Sequence, residues 1–161
     1  MVVIPHVLIM AAGQGKRMHS KVPKVLHPVL FRPMIHYVLD LARAHSHASI
    51  SMVVGHGEEA VREACRSYDG LNFFKQKEQR GTAHAVKTAE SFLGGLDGHL
   101  VILSGDVILL REETLGKLLE SHAESRSACT VVTAKLADPN GYGRVLRKDN
   151  GHAVGIREEK D

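Results

Sequence analysis

The sequence has no tryptophan, and its aromatic content is only 4%. Single-stranded nucleic acid stacks on flat aromatic faces, so a chain this poor in them offers no platform for it. Cysteine is scarce as well. Cys65 and Cys129 form no C-x-x-C and no spacing that suits a metal. Each lies in an apolar pattern, and both are expected as buried free thiols in a reducing compartment. No apolar run approaches bilayer length, and Met1-Val-Val-Ile-Pro-His6 lacks the basic start of a signal peptide. A cytoplasmic chain with neither a membrane nor a nucleic-acid partner is expected. The 11 histidines are scattered, and without H-E-x-x-H or a cysteine partner they read as solvated or hydrogen-bonded side chains ahead of a zinc site.

What remains is an ordinary globular composition, 43% hydrophobic and 24% charged over 161 residues, enough for one domain. Val7–Ala11, Ile50–Val54, Leu71–Phe74, Leu100–Leu103 and Cys129–Leu136 read as strands. Between them, helical faces are marked by Met34, Val38, Leu41 and Ala42, by Ala60, Val61, Ala64, Cys65 and Tyr68, by Ala85, Val86, Ala89 and Leu93, and by Leu115, Leu118, Leu119 and His122. Near-continuous apolar strands alternating with helices imply an α/β fold, a Rossmann-like, mainly parallel sheet with helices on both faces. Tyr142–Arg147 and His152–Arg157, joined across Asn150-Gly151, read as a β-hairpin.

The net charge of +3 is not spread evenly; Lys16, Arg17, Lys21 and Lys24 crowd into the stretch Met10-Ala-Ala-Gly-Gln-Gly-Lys-Arg-Met18, Ser20-Lys-Val-Pro-Lys-Val-Leu26. It directly follows the first strand. A glycine loop leaving a parallel strand offers backbone N–H groups to a phosphate with no Cβ in the way. Such a loop with four cations suits a nucleoside triphosphate. Met18 stands where both the P-loop and the dinucleotide fingerprint require a further glycine, so it is neither. Taken alone, the stretch also fits a strand-to-helix turn with solvated lysines. Ligands of an open α/β sheet collect beyond the carboxyl ends of the strands, and Gly13, Gly15, Gln76, Gly81, Gly105 and Asp106 all follow strand candidates there.

The A-A-G-x-G-x-R-M and P-K-V-L blocks resemble the signature of sugar-1-phosphate nucleotidyltransferases. Gln76-Lys-Glu-Gln-Arg-Gly-Thr-Ala-His-Ala85, Ser104-Gly-Asp106, Asn140-Gly-Tyr-Gly-Arg144 and Gly155-Ile-Arg-Glu-Glu-Lys-Asp161 follow in order. Together they resemble the bacterial N-acetylglucosamine-1-phosphate uridyltransferases, the pyrophosphorylase half of bifunctional enzymes that make UDP-N-acetylglucosamine. The resemblance spans essentially the whole chain. It implies a nucleotide-diphospho-sugar transferase fold, truncated at its C-terminus, in which residues 1–161 are the N-terminal part of the domain and the β-helix acetyltransferase domain is not present. It also implies a monomer for this fragment and a homotrimer for the full-length parent.

The implied reaction is attack of N-acetylglucosamine 1-phosphate on the α-phosphorus of UTP, releasing pyrophosphate and feeding peptidoglycan and lipopolysaccharide precursor synthesis. Another nucleotide specificity, or a nucleotide-binding fragment without turnover, are the alternatives. By resemblance, Arg17 holds the leaving pyrophosphate and Lys24 neutralises oxygens at the reacting centre. Met10, Ala11, Ala12 and Gly13 contact the nucleotide, as do Ser104 and Gly105. Asp106 binds Mg²⁺ with an Asn from beyond residue 161. Gln76, Gly81 and Thr82 match the uracil-binding segment, with Gln79 a weaker candidate, and Gly141 and Glu158 match contacts to the amino sugar. From composition alone, Asp106 reads first as a turn or capping residue; Thr82 also reads as a helix cap and Lys24 as an exposed lysine. Val107-Ile-Leu stands where the family usually has a proline, a departure expected to change loop stiffness only slightly.

Overall fold

The computed structural model describes residues 5–15, 18–45, 49–95 and 97–158. The chain divides into two compact units, Met1–Gly116 and Lys117–Asp161, each described here by itself.

The first unit is built on four parallel strands: β1 (His6–Met10), β4 (Ile50–Val54), β5 (Leu71–Lys75) and β6 (Leu100–Ser104), in the order β5-β4-β1-β6. Register is regular, with Val7 opposite Ile50 on one side and Val101 on the other. The two central strands are the driest: Val7, Leu8 and Ile9 of β1 and Met52, Val53 and Val54 of β4 are all buried. Burial of successive residues means that both sheet faces are covered, as an apolar run without alternation requires. On one face Ala85 and Ala89 of α3 (Thr82–Thr88) and its C-terminal cap pack with Leu8 and Val53, joined by Phe74 and Leu93. The connections carrying α1 (Met34–His45) and α2 (Glu58–Ala64) run outward from β1 to β4 to β5, whereas the one carrying α3 and α4 (Glu90–Leu93) returns across to β6. Right-handed crossovers in opposite directions place helices on opposite faces, so α1 and α2 cover the other side, with Ile35, Val38, Leu39, Ala42 and Val61 buried. The reversal also makes the gap between β1 and β6 the switch point of the sheet.

Two short strands, β2 (Pro28–Val29) and β3 (Arg32–Pro33), form an antiparallel ribbon before α1. Nothing in the sequence pattern announces this ribbon. Its turn holds Leu30 and Phe31 at φ +48° and +65°, backbone that asparagine and glycine normally supply. Both side chains are exposed, Phe31 fully. A left-handed residue with a Cβ costs about 1–2 kcal/mol, and the exposed side chains of Leu30 and Phe31 recover none of it by burial. Leu30→Asn with Phe31→Gly is therefore expected to raise the melting temperature of the chain, by roughly 1–2 kcal/mol of stability. An unchanged or lower melting point would show that the turn is not strained.

In the second unit, β7 (Arg144–Arg147) pairs antiparallel with β8 (Ala153–Arg157), the expected hairpin. α5 (Glu112–Ser125) contains the boundary between the units. The strand expected over Cys129–Leu136 is corrected: the segment carries no ladder, and Val131, Val132 and Leu136 are exposed. A strand exists through its partner's hydrogen bonds, and β7 and β8 satisfy one another instead.

The expectation for the cysteines is half corrected by the same segment, since Cys65 is buried and Cys129 exposed. Burial pushes the Cys65 thiol up to about 11. A native-state titration with a thiol reagent should thus modify Cys129 quickly and Cys65 only after denaturation. Two fast thiols would contradict this packing. Among the described residues, no helix is long and apolar enough to cross a membrane.

Candidate active site

β1 ends at the switch point, and its last groups are tied to both neighbours. The Gly105 N–H donates to Met10 O at 3.0 Å, and the Ala11 N–H donates to Val53 O at 2.8 Å. Beyond them the chain leaves the sheet as the glycine loop. Gly13 faces open space, where a Cβ would meet nothing within 4 Å. Gly15 has φ +61°, and a Cβ there would come 2.9 Å from the Lys24 Cβ, so the loop lies directly against the lysine segment.

Lys24 begins a single 3₁₀ turn (Lys24–Leu26) after Pro23. Two contacts hold that turn. Val25 is buried, and the Pro23 ring packs so closely on Gly57, at φ +70°, that no Cβ fits between them. The lysine side chain then reaches Asp106, and its Nζ donates to Oδ2. The Ser104 hydroxyl donates to the other carboxylate oxygen at 2.6 Å. Both members of the pair are about a third exposed or less. Burial alone would push the Asp106 carboxyl up, but the hydrogen bonds from Lys24 and Ser104, the Lys24 charge and its own backbone N–H outweigh it. The carboxyl is held below its ordinary range.

The opposite wall comes from the segment after β5. Gln76 continues the ladder, its N–H donating to Val54 O at 2.8 Å, and its side chain is buried. Its amide nitrogen lies 3.4 Å from Gly81 O and 2.9 Å from His84 Nδ1. Gln79 reaches back across the site, its amide N–H donating to Ala12 O at 2.5 Å. Together these residues enclose a cavity of about 360 Å³, within the range of small-molecule sites.

Of the residues singled out from the sequence, Met10, Ala12, Gly13, Lys24, Gln76, Gly81, Thr82, Ser104 and Asp106 line this one cavity. Ala11 and Gly105 are buried and do not line it; they close the end of β1. Gly141 and Glu158 belong to the second unit, where the Glu158 carboxylate lies close to Gly143. Arg17 and Lys16 lie outside the described residues. Gln79 deserved a higher rank than the sequence reading gave it, and Val25 and Ala85 were not identified as lining residues. The repeated glutamine of Gln76-Lys-Glu-Gln79 was the available signal; an apolar lining residue leaves none.

Among the described residues, no three His, Cys, Asp or Glu side chains converge. An all-protein metal cage is therefore not built here. A single carboxylate facing the cavity, already paired with a cation, fits a hard ion that takes most of its ligands from a bound polyanion and water.

A cavity at the switch point of a parallel sheet stands where open α/β folds bind their ligands. Residues 7–155 match the MobA-like NTP transferase domain, and the chain belongs to that family. It is similar to the bifunctional protein GlmU of Pelobacter propionicus, 47% identical over 154 residues, which are 96% of this chain and 34% of that protein. The GlmU of Brevibacillus brevis is 46% identical over 156 residues, 97% of this chain and 33% of its own. The chain thus spans about one third of the length of the curated relatives it matches. Among solved structures, one from Bacillus anthracis assigned as a glucose-1-phosphate thymidylyltransferase superposes with a TM-score of 0.81 at 21% identity, over 96% of this chain and 64% of that one. A UDP-glucose pyrophosphorylase complexed with UDP-glucose gives 0.72 at 19%, over 97% and 69%. These structures share the fold, which is the nucleotide-diphospho-sugar transferase type expected from the sequence.

The ion pair has a pH signature. Because the folded-state pKa of Asp106 is lowered, the pair contributes stability above the unfolded pKa of about 4, and this is lost as pH falls through the lower folded value. Melting curves of the chain and of Asp106→Asn are expected to differ in favour of the native residue at neutral pH and to converge below about pH 4. A difference independent of pH would mean that no charged pair forms.

Proposed function

We propose that this chain is the UTP-binding part of a nucleotidyltransferase that joins UTP and N-acetylglucosamine 1-phosphate to give UDP-N-acetylglucosamine and pyrophosphate. The observation that carries this reading is the single cavity in which a glycine loop, Lys24, Asp106 and an amide-lined wall meet at the switch point. The likeness to GlmU proteins, by that name bifunctional, supports it.

In this reading a phosphate oxygen of the sugar phosphate attacks the α-phosphorus of UTP. The bond from that phosphorus to the bridging oxygen of the β-phosphate breaks, and pyrophosphate leaves with the electron pair. Such a transfer between anions needs charge neutralisation and in-line placement more than covalent help. The open backbone at Ala12 and Gly13 approaches the triphosphate. Lys24 turns from Asp106 to the phosphate oxygens as they arrive. Asp106, steadied by Ser104, is the residue that would hold Mg²⁺, whose charge offsets that of the phosphates. Arg17 would receive the pyrophosphate, and Gln76, Gly81 and Thr82 the uracil. Gly141 and Glu158 are proposed for the amino sugar. The setting would be the cytoplasm, with the product feeding peptidoglycan and lipopolysaccharide precursors and the whole parent protein a homotrimer. Since the chain spans about one third of its GlmU relatives, binding without turnover is the second reading for these residues.

Charge-assisted hydrogen bonds contribute about 1.5–3 kcal/mol. Arg17→Ala and Lys24→Ala are therefore expected to weaken UTP binding in the presence of Mg²⁺ by about 10- to 150-fold in calorimetry, with Lys16→Ala much less affected. Near-native affinity in both variants would sink the assignment. A pyrophosphate-release assay on the same samples separates turnover from binding alone.

A further inference from the structure

We infer that His84 is a positioning residue that sets which way the Gln76 amide faces and thereby the choice of uracil over cytosine. The inference rests on the nucleotide reading of the cavity.

Gln76 has little freedom at its backbone, which is tied into the ladder through Val54 O. Both described bonds of its side chain leave from the same atom, Nε2: one to Gly81 O at 3.4 Å and one to His84 Nδ1 at 2.9 Å. A carbonyl oxygen only accepts. Turning the amide over would place Oε1 against Gly81 O, two acceptors facing one another at 3.4 Å, which disfavours that orientation. With the amide nitrogen on that side, the 2.9 Å contact is made with Nδ1 as the acceptor, the tautomer that carries its proton on Nε2. The two N–H groups of the amide are thereby committed, one to each partner. What Gln76 has left for a ligand is Oε1, an acceptor and nothing else.

The histidine itself is held in place. It lies in the first turns of α3, next to Ala85, which is buried against Leu8 and Val53. Its own carbonyl takes the Thr88 hydroxyl at 2.9 Å. Of the two partners of Gln76, His84 gives the shorter bond, and the 3.4 Å contact to Gly81 is a weak restraint by itself.

An acceptor-only group reads the pyrimidine edge in one sense. Uracil carries a donor at N3, which Oε1 pairs with. Cytosine carries a bare N3 at the same place, which Oε1 would meet with a lone pair against a lone pair; its donor amine lies one ring position away. The two bases have almost the same size and shape, so the hydrogen bond is what distinguishes them, and an unpaired polar group in a site of this kind is costly. Without the Nδ1 acceptor only the long contact to Gly81 O restrains the amide, which can then turn and offer N–H to cytosine.

The test compares UTP and CTP binding, with Mg²⁺, to the 161-residue chain and two variants. His84→Phe keeps a flat ring and removes the acceptor; His84→Asn places Oδ1 where Nδ1 stood. The unmutated chain is expected to prefer UTP. His84→Phe is expected to reduce the UTP-to-CTP affinity ratio by about tenfold or more, with CTP binding improved, and His84→Asn to retain the ratio. Histidine ¹⁵N spectra of the unmutated chain give a reading that needs no variant to fold, with an unprotonated Nδ1 and a protonated Nε2 expected for His84. A His84 protonated at Nδ1, or a His84→Phe variant with the original ratio, overturns this inference alone. A chain that binds neither nucleotide overturns the nucleotide reading and this inference with it; one that binds both equally before mutation overturns the uracil assignment and this inference while nucleotide binding stands.

Discussion

The site is positioned by the way β1 ends. Two backbone hydrogen bonds, Gly105 N–H to Met10 O and Ala11 N–H to Val53 O, fasten the last groups of the strand to its neighbours on either side. The sheet is driest there, and a buried backbone group without a partner would be costly. Much of what reaches the cavity departs from those fixed points or from the next one out. The glycine loop leaves from Ala11, Asp106 follows Gly105, and Gln76 starts one strand further out from Val54 O. Ala11 and Gly105 contribute by being buried, which is why neither lines the space that their neighbours shape.

The strand ends were legible in the sequence because they combine two signals, an apolar run and the glycine or polar residue that stops it. Val7–Ala11 before Gly13, and Leu100–Leu103 before Gly105, carry both. The Cys129–Leu136 segment carries both as well, with Asp138-Pro-Asn-Gly141 just beyond it, and forms no strand. An apolar run says that a strand would be compatible with the residues, and nothing about whether a neighbouring chain segment stands ready to pair with it. The ribbon of β2 and β3 failed from the other side. Its turn is built from Leu30 and Phe31 in left-handed backbone, so the Asn-Gly signal that announces such a turn is not there. Tertiary context holds a shape that local preference opposes.

Within the site, residues bearing charge or an amide were identified, whereas residues that aim them were not. Gln76 was recognisable from its motif; His84 was only one histidine among many. Its role depends on an Nδ1 that faces a neighbouring amide across a turn of backbone, a relation that spacing alone does not encode. Val25 is a similar case. It never touches a charge, yet its burial holds the 3₁₀ turn from which Lys24 projects.

The Lys24–Asp106 pair shapes which ligands the cavity accepts. Apart they would be two half-buried charges, each losing part of its hydration, and together they are nearly neutral. A polyanion entering alone must draw Lys24 away from Asp106 and leave a carboxylate facing its own negative charge. A divalent cation entering alone must compete for Asp106 with an ammonium group already in place, and then leave that ammonium beside it. A cation and a polyanion arriving together meet neither penalty, since the first takes the carboxylate as the second takes the lysine. The rearrangement exchanges one neutral pairing for another. Under the proposed function, a site arranged this way would favour a metal–nucleotide complex over either component, the preference coming from charge balance in a low-dielectric cleft before any base or sugar is read.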